Sequence, residues 1–222
     1  MELKVIAYAR NGHTDKFGIP RQSREESPIE TRIVFEPEYK VAEALRGIEG
    51  YSHLWLIWGF SEVDSWSPTV RPPRLGGNKR MGVFATRSPF RPNPLGLSSV
   101  RLVRVEDGDL IVSGADVLDG TPIYDIKPYL SFSDCHEDAR NGFAEETKGY
   151  KLNVEMSATA LLNGDASLND EIRRDIEYIL SQDPRPGYQD DPDREYKLDY
   201  AGWNVAFGVE KGVVIIKKIQ KM

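Results

Sequence analysis

The strongest constraint on the fold of this chain is the way its apolar residues are grouped. Leu3 to Ala9, Thr31 to Phe35, Ser52 to Phe60, Met81 to Ala85, Leu97 to Val105, Leu110 to Ala115 and Pro122 to Ile126 are short runs rich in β-branched and aromatic residues. Each has the length and composition of a strand, with turn-rich loops between them. Parallel strands need crossover helices, and among these runs only Glu38 to Leu45, closed by Arg46-Gly47, reads as helical. The pattern predicts a mainly β fold, a barrel or sandwich, and argues against a doubly wound sheet. Asp107-Gly108, between two apolar runs, predicts a tight hairpin turn.

The strand pattern breaks into polar residues and glycine around Asn141 to Gly149, which reads as a linker. Residues 1–145 form one unit on this reading, and 150–222 form a smaller α+β unit. In the second unit Val154 to Leu161 reads as a strand. Asn169 to Leu180 places Ile172, Ile176, Ile179 and Leu180 on one helical face, and Asp183-Pro184-Arg185-Pro186-Gly187 stops the helix. Trp203 to Val209 and Val213 to Ile219, joined by Glu210-Lys211-Gly212, read as a terminal hairpin.

At 222 residues the chain is long enough to bury roughly 70% of its unfolded surface, so folding requires no disulfide or metal. The longest apolar run, Leu54 to Phe60, falls far short of the ~20 residues of a membrane helix. No secretory leader pattern opens the sequence, and a cytoplasmic protein is expected. The single cysteine, Cys135, and three histidines, His13, His53 and His136, lack zinc-type spacing, so no metal is expected.

The net charge of -6 hides an asymmetry. No acidic residue occurs between Asp64 and Glu106, while Arg71, Arg74, Lys79, Arg80, Arg87, Arg91, Arg101 and Arg104 contribute +8 and leave the rest of the chain at -14. Such a block either faces phosphates or is balanced by acidic flanks in the fold. Two proline-stiffened loops lie within it. One is Pro68-Thr69-Val70-Arg71-Pro72-Pro73-Arg74-Leu75-Gly76-Gly77-Asn78, which is neither a P-loop nor a dinucleotide fingerprint. The other runs from Met81 to Ser98, where three prolines alternate with Arg87, Arg91 and Asn93. A stiff loop with solvated arginines is one reading. The other is a loop frozen to recognise phosphate or a nucleoside at low entropy cost.

His53, at the start of the aromatic strand, reads as structural. Asp119 to Tyr129 reads either as a hairpin with an exposed Asp-x-Lys pair or as a ligand-binding edge. No Ser-His-Asp order, nucleophile elbow or supported carboxylate pair emerges.

Seven ordered blocks, taken together, carry a family resemblance. They are Pro20-Arg21-Gln22, Ser52-His53-Leu54-Trp55, Thr69 to Gly77, Gly82-Val83-Phe84-Ala85-Thr86-Arg87-Ser88, Arg91-Pro92-Asn93-Pro94-x-Gly96, Asp119-Gly120-Thr121-Pro122 through Lys127-Pro128-Tyr129, and Asp183-Pro184-Arg185-Pro186. The chain resembles the TrmO family of tRNA methyltransferases across both units. The resemblance implies an S-adenosylmethionine-binding β-barrel, a small α+β domain that assists tRNA binding, and a homodimer. It also implies methylation of the exocyclic amine of threonylcarbamoyladenosine beside the anticodon of threonine tRNA.

Carried over residue by residue, the resemblance assigns the cofactor to Gln22, Ser23, Arg24, Phe60, Ser61, Arg87, Leu97, Ile123, Tyr124, Asp125 and Ile126. Apolar groups and strand backbone suit adenine, and Arg87 suits the carboxylate. Asp125 and Asn93 are candidate acceptors of the amine proton. Arg71, Arg74, Arg80 and Arg91 are assigned to anticodon-loop phosphates and Arg185, in the second unit, to tRNA. The chain departs from the family pattern in its first strand, Ile6-Ala7-Tyr8-Ala9-Arg10-Asn11-Gly12, which assigns no ligand role to that turn. The competing readings are a non-catalytic S-adenosylmethionine- or RNA-binding regulator and a methyltransferase for another substrate.

Overall fold

The computed structural model describes residues 2–15, 18–20, 22–23, 26–63, 65–72, 79–147, 149–158, 160, 168–185, 191 and 194–222. Six strands close into an antiparallel barrel: β1 (Ala7–Arg10), β2 (Glu30–Phe35), β3 (His53–Gly59), β6 (Leu95–Glu106), β7 (Asp109–Ser113) and β8 (Pro122–Pro128). Their order is β1-β2-β7-β6-β3-β8, and Ala7 opposite Ile123 closes the ring. Period-two alternation accounts for the interior: Leu54, Leu56 and Trp58 of β3 point inward against Ala7, Ala9, Ile33, Val100 and Ile123.

Asp107 and Gly108 both have positive φ, 53° and 77°, the geometry of a two-residue hairpin turn between β6 and β7. β6 runs 12 residues and carries a bulge at Val103, between Leu102 and Arg104, which is why its apolar alternation is imperfect in the sequence. A second bulge, facing the Ile57/Trp58 step, leaves Tyr124 as the extra residue of β8. A two-stranded ribbon, β4 (Thr69–Val70) with β5 (Met81–Gly82), stands apart from the barrel sheet.

The second sheet has the order β10-β11-β12-β9, from β9 (Asn153–Met156), β10 (Tyr196–Tyr200), β11 (Trp203–Glu210) and β12 (Val213–Lys221). Only the β12–β9 pair is parallel. A single helical turn, α1 (Ser131–Asp134), follows the barrel, and α2 (Asp170–Ser181) accompanies the second sheet. Asn169 caps α2, its Oδ1 accepting from the Ile172 N–H at 2.8 Å. Ile176, Ile179 and Leu180 of that helix are buried with Leu198, Val205, Phe207 and Ile216.

The mainly β barrel with a smaller α+β unit is as the sequence indicates, but several local elements differ. Glu38 to Leu45 is not a helix: only Ala42–Leu45 forms a 3-10 turn, it fully buries no residue, and Leu45 alone packs against the barrel core, too little to stabilise a longer helix. Leu3 to Ala9 is strand only from Ala7, and Met81 to Ala85 switches to a 3-10 turn at Val83. The expected linker contains a 3-10 segment, Gly142–Thr147. Val154 to Leu161 is strand only to Met156; Ala158 and Ala160 are helical and Leu161 lies outside the described residues. Strand β10 is absent from the sequence reading, although Tyr196, Leu198 and Tyr200 alternate inward and Ala201-Gly202 supplies a second positive-φ turn.

The segment between β1 and β2 joins the two units. Gly12 C=O accepts from the Ala201 N–H at 2.9 Å, and a Cβ on Gly12 would lie 2.7 Å from the Tyr200 ring. Ile29 sits in the second core, and the ring of buried His13 meets Tyr200 edge-on at 5.3 Å. Burial lowers the His13 imidazole to about 4.

Asp109 closes the other end of the hairpin. Its side chain is 3% exposed and pairs with Arg32 at 3.0 Å and Lys40 at 2.9 Å, and it also accepts from the Phe35 N–H. Burial alone would raise the carboxyl, but Lys40, Arg32 and the Phe35 N–H together hold it below the ordinary range. The stabilisation is therefore full above the unfolded value of about 3.9 and disappears as pH falls through the lower folded value. Asp109→Asn is expected to lower the melting temperature by on the order of 5 °C at pH 7, with the gap from wild type constant down to about pH 3.9 and closing only as pH falls further, through the lower folded value. Melting curves across that range check this; a gap independent of pH would remove the ion pairs as its cause.

Candidate functional site

The aromatic strand β3 organises one end of the barrel. Trp58 lies opposite Gly96 of β6, and a Cβ on Gly96 would fall 2.2 Å from the indole, so the ring lies directly across this glycine. The indole Nε1–H donates to Ser98 Oγ at 2.9 Å. The Ser98 hydroxyl donates in turn to Asp116 Oδ1, beyond the end of β7. Burial pushes the Asp116 carboxyl up, opposed by the Ser98 hydroxyl, its own backbone N–H, the Ser23 N–H and the nearby Arg87 charge. Phe60 packs edge-on against Trp58 at 4.4 Å, and its N–H donates to Pro94 C=O at 2.9 Å.

Gln22 and Ser23 reach this end from the β1–β2 segment. Arg87 reaches it from the proline-rich loop, and its Nη1 donates to Gln22 Oε1 at 3.2 Å across 65 positions of sequence. Four of the expected cofactor residues, Gln22, Ser23, Arg87 and Phe60, therefore converge through Asp116 and Trp58. Ser61 is exposed in the turn after Phe60.

A second group lies on the outer face of the same strands. Leu97 and Asp125 flank Ile57 in register, and Leu97 is 55% exposed. Tyr124, the bulge residue, packs over Gly59, where a Cβ would meet its ring at 2.8 Å. Asp125 accepts from the Ile126 N–H at 2.9 Å and pairs with Lys127 at 2.9 Å. Ile123 is fully buried inside the barrel and Ile126 packs against that core, so from this face they present backbone. Asn93 is exposed just before β6, and its C=O accepts from the Leu95 N–H. Arg24 and Arg74 lie outside the described residues.

The arginines of the basic block have different surroundings. Arg71 is exposed, and exposed Arg80 donates to Thr69 Oγ1 at 2.8 Å. Arg91 turns back on its own loop, with Nη1 at 2.8 Å from Thr86 C=O and 3.2 Å from Val83 C=O. Arg104 pairs with Glu30 at 2.9 Å and with Glu106 at 2.9 Å. In the second unit Arg185 is 10% exposed and paired with Asp183 at 2.8 Å, whose carboxylate also accepts from the Tyr150 hydroxyl. Among the described residues no group of three or more His, Cys, Asp or Glu side chains could hold a metal ion, and no helix is long and apolar enough to cross a membrane.

Comparison with known proteins addresses what this arrangement belongs to. The family model for the tRNA-methyltransferase O N-terminal domain matches residues 8–135, and the model for the TrmO C-terminal domain matches residues 149–222. The chain belongs to the TrmO family. Among curated TrmO-type relatives, the tRNA (adenine(37)-N6)-methyltransferase of Eikenella corrodens is 49% identical over 174 residues, spanning 76% of this chain and 97% of the relative. That of Escherichia coli K12 is 39% identical over 217 residues, spanning 94% and 91%. A crystal structure of TrmO from Pseudomonas aeruginosa superposes with a TM-score of 0.82 at 32% identity and covers 99% of this chain and 98% of that one.

Sequence reasoning missed Trp58, Ser98 and Asp116 as a linked set. The only available signal was a carboxylate placed directly after a strand, because its partners lie 18 and 93 positions away. Ser98 is 1% exposed and serves two partners, so Ser98→Ala leaves the Trp58 indole N–H without its acceptor and takes one donor from the Asp116 carboxylate. The substitution is expected to cost about 2 to 3 kcal/mol and to change the emission of Trp58. Denaturant titration followed by tryptophan fluorescence checks this; a midpoint unchanged from wild type would mean that the chain contributes nothing to the barrel end.

Proposed function

We propose that this protein is an S-adenosylmethionine-dependent tRNA methyltransferase acting on the N6-amine of adenosine 37, in its threonylcarbamoyl form, on threonine tRNA. The observation that carries the reading is the convergence of Gln22, Ser23, Arg87 and Phe60 at one end of β3, in a chain similar over nearly its whole length to curated adenine-37 methyltransferases. The proposal includes a cytoplasmic homodimer. It also includes the division into residues 1–145, binding cofactor, and 150–222, assisting with tRNA.

The residues present fit the cofactor. Arg87 offers a cation for a carboxylate: it donates to the neutral amide of Gln22, and the Asp116 carboxyl near it is pushed by burial towards its neutral form. Phe60 and Leu97 offer apolar surface for a nucleobase, with the β8 backbone from Ile123 to Ile126 beside them. Bound S-adenosylmethionine supplies a methyl group already activated as a sulfonium. The protein's contribution is then orientation and exclusion of water, with no covalent relay required. Asp125 is assigned to receive the amine proton, and Asn93 to accept a hydrogen bond from the amine through a carbonyl oxygen. Arg71 and Arg80, which have no carboxylate partner among the described residues, are assigned to the phosphates.

The test combines purified protein, methyl-labelled S-adenosylmethionine and bulk tRNA from cells able or unable to make threonylcarbamoyladenosine, with nucleoside mass spectrometry as the readout. Label confined to that nucleoside in the first pool is expected. Cofactor binding without transfer to either pool would overturn the enzyme reading in favour of a binding protein. Arg87→Ala is expected to weaken S-adenosylmethionine binding about tenfold or more by calorimetry. The pair Arg71→Ala and Arg80→Ala is expected to flatten the salt dependence of tRNA binding by on the order of 1.5 in log–log slope. An unchanged slope would assign those arginines to the fold.

A further inference from the structure

The basic loops hold an aromatic ring in the open. Phe84 is 74% exposed, although its neighbour Val83 is 1% exposed and anchors the same 3-10 turn. The turn is tied on several sides. Val83 N–H donates to Pro68 C=O at 3.0 Å, Thr86 Oγ1 donates to Val83 C=O at 2.9 Å, and Ser67 N–H donates to Phe90 C=O at 3.2 Å. Arg91 holds the turn from behind through the Thr86 and Val83 carbonyls, and its guanidinium carbon stands over the Phe84 ring at 5.7 Å. With Val83 locked into the interior, the backbone cannot rotate Phe84 inward.

We propose that Phe84 is the platform on which an unpaired base of the RNA substrate stacks, with Arg91 as the positioning residue that backs the ring. The inference rests on the tRNA reading above and names the ring that reading leaves open. Charge favours a polyanion as the occupant: no acidic residue lies between positions 64 and 106, and Arg71, Arg80 and Arg87 belong to the same pair of loops. A base presents a π face to an aromatic ring whatever its identity, and an arginine behind the ring adds a cation–π contribution. Phe132 is more exposed, at 86%, but belongs to α1, which is tied to Trp55 through Asp134 near the His53 end of β3. It stands at the opposite end of that strand from Phe60.

The experiment uses the full chain and an anticodon stem-loop RNA carrying 2-aminopurine in its loop, titrated over a series of salt concentrations. Phe84→Leu keeps an apolar side chain and removes the π face, while Phe84→Trp restores it. Loss of one stacked base is expected to weaken binding of the leucine variant about tenfold, within the 5- to 150-fold range for such contacts. The salt slope should be unchanged because no phosphate contact is lost. The KM for tRNA should rise with S-adenosylmethionine affinity intact, 2-aminopurine quenching should fall, and the tryptophan variant should bind as wild type does.

Wild-type affinity in Phe84→Leu overturns the inference. So does a lowered sedimentation coefficient in that variant, which would assign the ring to a contact with a second copy of the chain. If wild type turns over tRNA while Phe84→Leu is indistinguishable from it, only this inference fails. If wild type neither binds nor methylates RNA, the functional reading fails and takes this inference with it.

Discussion

The site end of the barrel depends on one hydrogen-bonded chain, Trp58 to Ser98 to Asp116. An indole in the mouth of a six-stranded barrel needs both space and a partner for its N–H. Gly96 supplies the space by presenting no side chain directly across the sheet, and Ser98, two residues along the same strand, supplies the partner. Ser98 then donates a hydrogen bond to a carboxylate that burial makes costly to ionise. What balances that cost is the Ser23 N–H and the Arg87 charge, groups from two loops otherwise unconnected to β7. A core packing requirement is thereby converted into the placement of the two loops that flank the candidate cofactor site.

The first of those loops is held at its base by the second sheet. Gly12 and Gly18 lie against Tyr200 and Leu198 at distances that leave no room for a Cβ, and Ile29 enters the core of the second unit. The tip of the same segment carries Gln22 and Ser23. The second unit thus bears on the site through packing as well as through any contact with RNA. His13, with its value lowered to about 4, stays neutral throughout the physiological range. A group lowered in this way costs stability only as pH falls below its unfolded value of about 6.5, so the junction has no charge change to absorb near neutrality.

The architecture was legible in the sequence where period-two alternation, a turn dipeptide or a helical apolar face carried the signal over enough residues. The barrel strands, the Asp107-Gly108 hairpin and the α2 face, with Ile176, Ile179 and Leu180, belong to that class. The reading failed where a segment offers the core little to bury, as in Glu38 to Leu45, where only Leu45 packs against the barrel, and at β10, whose five residues alternate but are interrupted by charged Lys197 and Asp199. Within the site, Gln22 and Arg87 were legible only as members of resembling blocks; that they touch is a property of the closed barrel. Asp116 was not legible at all, because every group that gives it meaning is distant in sequence.

Net charge by segment was an incomplete guide to the basic block, and the reason lies in what each guanidinium faces. Arg104, on the bulged half of β6, meets Glu30 and Glu106 and so belongs to the balanced alternative. Arg91 faces carbonyl oxygens and shapes the Phe84 turn while keeping its full charge, since no carboxylate among the described residues neutralises it. Arg87 donates to the neutral Gln22 amide beside the buried Asp116 carboxyl, and Arg71 and Arg80 are exposed. A run that counts as +8 in sequence thus divides between cations matched by carboxylates and cations left to act outward. The outward ones lie on the two proline-stiffened loops. The second of them borders the Asp116 network through Arg87, so part of the positive field lies beside the candidate cofactor site.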